Sequence, residues 1–159
     1  MNGLAFQDCY PDSFSHCYGC GRLNREGLQI KSFWDGDETV CTYTPDEKYM
    51  AIPGMVYGGL IASLIDCHST GSAAAYAARA EGREIGSKPE IRFLTAALHV
   101  DFKSPTPMGM PLELRSSAKE IKPKKVIITT VLTSGGVECA RGEVVAVRVP
   151  DAVVEAFNK

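Results

Sequence analysis

An α+β fold, with one long helix packed on an antiparallel sheet, follows from three features of the sequence. The 159 residues contain a single extended run of helical periodicity. β-type alternation occupies the stretches on both sides of it, and strand and helix do not alternate as a doubly wound fold requires. A hydrophobic fraction of 45% supplies one core at this length without disulfides or a metal. Residues 1–159 therefore read as one domain, with residues 1–27 as an N-terminal arm and 151–159 as a C-terminal tail.

The arm is rich in Cys, Gly, Asp and aromatic residues and shows no period. Leu28, Ile30 and Phe33-Trp34 predict a first strand, Asp35-Gly36-Asp37 a turn, and Thr39 to Tyr43 a second strand. Pro45 and Pro53-Gly54 bracket an irregular stretch. From about Gly58 to about Glu81, the residues Leu60, Ile61, Leu64, Ile65 and His68 recur at helical spacing, continued by Ser72, Ala75 and Tyr76. Gly71 is the weak point of this helix, and the small residues from Ser69 to Ala75 predict tight packing against a sheet. Beyond Gly82 and Pro89 about four strands follow. Their signals are the alternation of Leu98, Val100 and Phe102, then Leu112 and Leu114, the run Val126–Leu132, and Val137–Val149 after a Ser134-Gly135-Gly136 turn.

Charge and composition narrow the function. Seventeen Lys+Arg against nineteen Asp+Glu leave a formal charge of −2, which argues against an electropositive nucleic-acid binder. No apolar run has the length to cross a bilayer, and no membrane partner is expected. Met1 to Phe6 lacks the basic-then-apolar pattern of a secretory signal, so the expected location is cytoplasmic and the six cysteines are expected to be reduced.

The site candidates gather around one junction. Pro53-Gly54-Met55-Val56-Tyr57-Gly58-Gly59 leads into the long helix. The first amides of a helix lack intrahelical acceptors and the dipole there favours negative charge, so Gly58 and Gly59 are candidates for an oxyanion hole. Asp66 lies on a helical stripe with Ala62, Ser63, Ser69, Thr70 and Ala73, where small neighbours leave room for a ligand. Its carboxylate is placed to activate water or to attack a carbonyl. Gly58 and Asp66 are eight positions apart, about 12 Å at ~1.5 Å per residue, too far for one carbonyl to touch both. This predicts a homodimer with two sites, each pairing an amide of one chain with a carboxylate of the other.

At these residues the chain resembles the hotdog-fold thioesterases, in particular the phenylacetate-pathway-like (PaaI-type) branch. The resemblance runs from about Cys17 to Val149. It rests on Cys17-Tyr18-Gly19-Cys20-Gly21 before Gly27-Leu28, on Pro53 to Gly59, on Asp66, and on Val100-Asp101-Phe102 before Pro105-Thr106-Pro107-Met108-Gly109. It implies a long helix wrapped by an antiparallel sheet of five to six strands, dimers that often pair into tetramers, and hydrolysis of an acyl thioester, usually of coenzyme A. No separate cofactor is implied, since coenzyme A belongs to the substrate. By position, Gly58 with Gly59 becomes the oxyanion donor, Asp66 the base or nucleophile, and Thr95 the group that orients water; Thr70, on the Asp66 stripe, is a second candidate for holding that water. Tyr57 stands where the family commonly carries His, and Ala51-Ile52 where an upstream Asn or Gln is frequent. A phenol near pKa 10 stays neutral at pH 7 and donates a hydrogen bond, but it is a poor base. A non-catalytic acyl or aromatic thioester-binding protein on the same scaffold is the alternative reading.

Weaker signals complete the inventory. Lys122, Lys124 and Lys125, with Lys119 and Arg115 nearby, and separately Lys103, are candidates for the coenzyme A phosphates. Cys17-x-x-Cys20, near Cys9 and His16, lacks the second ligand pair of a typical zinc site, so no metal is expected; a metal-stabilised interaction module would show stoichiometric zinc. Cys67 and Cys139 read as buried small residues, His68 as a packed histidine, and His99 as facing away from the core.

Overall fold

The structure, a computed structural model, describes residues 3–159. Two strands, β1 (Ser32–Asp35) and β2 (Glu38–Tyr43), precede helix α1 (Gly58–Ala80). Strands β3 (Phe93–Phe102), β4 (Leu112–Lys122), β5 (Lys125–Ser134) and β6 (Val137–Arg148) follow, and a short helix α2 (Asp151–Phe157) ends the chain. All six strands form one antiparallel sheet in the order β1-β2-β4-β5-β6-β3. The Ser134-Gly135-Gly136 turn is where the sequence places it. Ser134 pairs with Val137, and both glycines have positive φ (57° and 80°), as a two-residue hairpin of primed type demands.

The sheet curls around α1. Leu64, Ile65 and His68 of the helix are completely buried, together with Leu114, Ile128, Leu132 and Val144 from the inner face of the sheet. β6 comes so close that a Cβ on Gly142 would stand 2.4 Å from Ile65 Cγ2. Ser69, Ser72 and His68, buried on the covered helix faces, each find a partner, although His68 Nε2 is left without one among the described residues. Ser69 Oγ lies 2.8 Å from Thr130 Oγ1, Ser72 Oγ 2.6 Å from Thr39 Oγ1, and His68 Nδ1 2.9 Å from Ser32 Oγ. Burial holds His68 neutral by lowering its pKa to about 4.

The arm covers the side of α1 that the sheet leaves open. Gln7 is buried, its Oε1 accepting from the Ser32 amide at 2.8 Å and its Nε2 donating to Ser32 Oγ at 3.1 Å. Tyr10 and Gln7 lie over Gly71, so the small residues of the helix accommodate the arm as well as the sheet. The first strand is shorter than its sequence pattern suggests. Leu28 and Ile30 are buried, but their amides donate to Tyr18 O (2.7 Å) and Gly19 O (3.1 Å) of the arm, and Gln29, at φ 51°, breaks the extended run. Apolar alternation there reports burial against the arm rather than a ladder in the sheet. Among the described residues, no helix is long and apolar enough to cross a membrane.

Candidate active site

The junction that leads into α1 is pinned from two directions. Val56 N–H donates to Thr106 O (2.8 Å), Met108 N–H to Gly54 O (2.9 Å) and Tyr57 N–H to Tyr49 O (2.8 Å). Tyr57 caps the helix with its backbone extended (ψ 129°) and no side-chain cap. Its carbonyl accepts from Leu60 at 3.1 Å, while the amides of Gly58 and Gly59 have no protein acceptor among the described residues. Two N–H groups at the positive end of a 23-residue helix are thus free for an anionic oxygen. Tyr57 is 55% exposed and folds back over Gly59, where a Cβ would meet its hydroxyl at 2.3 Å. The phenol therefore lies at the same helix end as the amides.

One stripe of α1 escapes full burial: Gly59, Ala62, Ser63, Asp66 and Thr70 are all half-buried. Asp66 is at its centre, and Thr95 Oγ1 of β3 donates to Asp66 Oδ1. Ser69 and Ala73, expected on this stripe, face the interior instead, and Ser69 spends its hydroxyl on Thr130. The hydroxyl of Thr70 bonds the carbonyls of Asp66 (3.1 Å) and Cys67 (3.2 Å), so Thr95 rather than Thr70 is the carboxylate's partner. Neither His68 nor His99 joins Asp66: His68 is sealed in the core, and His99 sits exposed on the outer face, 3.2 Å from Asp101.

β3 brings the rest together. It is an edge strand, open on one side, and a bulge between Thr95 and Ala97 turns Leu98, Val100 and Phe102 toward the helix side. Leu94, Leu98 and Phe102 are 64%, 40% and 57% exposed on this unpaired edge. Phe102 closes on Gly58, with Cζ 3.4 Å from where a Cβ would be, and lines an open cleft of about 360 Å³ together with Gly58, Ile61 and Lys103.

The lysine candidates separate into two groups. Lys103 lies in this cleft, 3.9 Å from Asp101. Lys122 and Lys125 flank Glu120 (2.9 and 3.2 Å) at the β4–β5 hairpin, with Lys124 in its turn. Along β6, Phe102 pairs with Ala140 but Lys125 with Val147, which separates the two groups by about 23 Å at ~3.3 Å per residue. Within one chain they cannot serve one ligand. Arg115 is taken up by Asp35, Glu38 and Glu113, and Lys119 by Glu143.

A further cluster was not visible in the spacing. Cys67, next to Asp66 but on the face covered by the arm, meets Cys17 and Cys20, and the three sulfurs lie within 4.8 Å of one another. Cys17 is drawn down to about 2 by hydrogen bonds from Cys20 and Cys67, while the Cys20 thiol is pushed up to about 12 by the same bond. The signal available in the sequence was Gly19 and Gly21 beside the cysteines, which mark close backbone packing. Cys9 and His16 lie outside this cluster, and Cys139 is buried as expected.

A single long helix wrapped by an antiparallel sheet, with free amides at its head and a carboxylate two turns along, is the hotdog architecture. A profile described as "Thioesterase superfamily" matches residues 53–140, and the chain belongs to that superfamily. Acyl-coenzyme A thioesterase THEM4 of Xenopus laevis is 30% identical over 110 residues, which are 68% of this chain and 44% of that relative. The chain thus matches less than half of that relative's length. A crystal structure of a thioesterase superfamily protein from Shewanella loihica is 45% identical, covering 89% of this chain and 100% of the other with a TM-score of 0.66. The PaaI protein of the Escherichia coli phenylacetic acid degradation operon shares the fold at 15% identity, over 77% of this chain and 81% of the other, with a TM-score of 0.63.

Proposed function

We propose that the protein hydrolyses acyl thioesters, with acyl-coenzyme A as the substrate class, at two equivalent sites shared between the chains of a homodimer. The observation that carries this reading is the pairing of free Gly58 and Gly59 amides with a Thr95-anchored Asp66 along one uncovered helix stripe. The thioester carbonyl oxygen sits at the amides, where the negative charge of the tetrahedral intermediate develops. Thr95 holds Asp66 Oδ1, which leaves Oδ2 to take a proton from water or to attack the carbonyl itself. Tyr57, beside Gly59, donates its phenolic proton to orient the thioester.

The open edge of β3 supports the dimer. An antiparallel pairing of β3 with its copy that sets Phe102 against the partner's Thr95 spans the bulge in each strand and centres the two-fold axis on His99, with Leu98 beside it. Phe102 touches the Gly58 end of α1 and Thr95 touches Asp66, so this register brings each amide pair opposite the other chain's carboxylate. It also covers Leu94, Leu98 and Phe102. The partner's Lys122–Lys125 hairpin returns toward the end that carries Lys103, rejoining the two lysine groups around one coenzyme A. Further pairing of dimers into tetramers would leave these sites unchanged.

The test is hydrolysis of a panel of acyl-coenzyme A esters by wild type and Asp66→Asn. Turnover by wild type, reduced at least about 10²-fold in a folded Asn variant, is the expected result. Saturable binding without turnover across the panel would move the protein to the alternative of a thioester-binding scaffold.

A further inference from the structure

We propose that Cys17, Cys20 and Cys67 form a binding site for a thiophilic divalent cation of the zinc type, which clamps the N-terminal arm to α1. The site goes beyond the thioester reading and shares no ligand with it. Three thiol sulfurs within 4.8 Å of one another already sit at the spacing of a coordination sphere. Zinc–thiolate bonds of about 2.3 Å in a tetrahedron set sulfurs about 3.8 Å apart. Cys17 Sγ and Cys67 Sγ are 3.7 Å apart.

The backbone around Cys17 has the form of a metal-binding knuckle. Gly21 N–H donates to Cys17 O at 2.8 Å and closes the turn. Gly19 and Gly21 are both required by space. A Cβ on Gly19 would stand 2.2 Å from Cys67 Sγ, and one on Gly21 would stand 2.5 Å from Cys17 N. The turn is pressed onto α1 so that the third sulfur completes the set.

Cys20 and Cys67 are each 9% exposed, whereas Cys17 is exposed, so the cation enters and takes its fourth ligand from the Cys17 side. Each thiol that joins as thiolate releases its proton to solvent. The Cys-x-x-Cys pair alone is half a site; helix α1 supplies what the spacing lacks.

Reduced, chelator-treated full-length protein titrated with Co²⁺ and then Zn²⁺ tests the proposal. The expected result is one ion per chain, thiolate-to-cobalt charge-transfer absorption, and bleaching of that absorption as zinc displaces cobalt. Cys17→Ser, at an exposed position, should weaken zinc binding at least about 100-fold, since losing a ligand costs more than losing an outer-shell partner. Cys9→Ser should bind as wild type does. Cys67→Ser should also lose the ion, and Cys17→Ser keeps the question answerable where that buried variant does not fold. Absence of metal uptake by the reduced protein, uptake without the charge-transfer bands, or undiminished affinity in Cys17→Ser would each overturn the assignment.

Discussion

Replacing Gly58 with proline would remove one main-chain donor from the head of α1 and disturb little else. Proline is well tolerated at the first helical position, where its missing N–H has no intrahelical partner. The preceding residue must be extended, and Tyr57, at φ −62° and ψ 129°, already is. The space is adequate too, because the nearest atom to a Cβ at this position is Phe102 Cζ at an ordinary 3.4 Å. What disappears is one of the two amides without a protein acceptor. A single oxyanion donor is worth about 10²–10³ in kcat. With Gly59 N–H remaining to share the charge, the lower end applies, so kcat should fall about 100-fold, or ~2.7 kcal/mol of transition-state stabilisation. KM should hardly move, because the ground-state carbonyl gains little from the lost bond. Steady-state hydrolysis of an accepted acyl-coenzyme A, with circular dichroism to verify folding, reads both quantities. Turnover within a few-fold of wild type in the folded variant would show that the amide does not stabilise the intermediate.

Two other outcomes follow from the same structure. His68 has its pKa lowered to about 4 by burial against an unfolded value near 6.5, so acid favours the unfolded chain, which binds the proton more readily. Stability should be full above about pH 6.5 and fall by about 3 kcal/mol as pH drops toward 4, and His68→Asn should remove that part of the pH dependence in urea titrations. Equal pH slopes for the two proteins would contradict the assignment. Leu98→Glu places two like charges beside the proposed two-fold axis, at a cost of several kcal/mol to association. Sedimentation should show monomers with lost turnover; an active Leu98→Glu dimer would refute the β3 register.

The long helix, its neighbours in the sheet and the Tyr57-Gly58-Gly59 junction were legible because each is local. Periodicity marks α1, and chain order places Asp66 eight residues beyond Gly58. The limits appear wherever a third body decides the outcome. Ser69 and Ala73 share a helical sector with Asp66, but β5 and the surrounding core cover them, and only the partly open stripe carries the site. Leu28 and Ile30 alternate like a strand, yet their amides bond the arm. The lysines form one cluster in sequence, but strand length separates Lys103 from the hairpin. Cys67 lies 47 positions from Cys20, and no spacing rule connects them; only the docking of the arm on α1 does.

Mixed dimers offer the most direct test of a shared site. Gly58→Pro and Asp66→Asn chains, each at about 1% of wild-type turnover or less alone, are unfolded together and refolded as an equal mixture. When amide and carboxylate come from different chains, half of the dimers are mixed and each of these carries one intact site, so about a quarter of wild-type turnover returns. A mixture that exchanges subunits yet stays as inactive as its parents would show that both groups act within one chain.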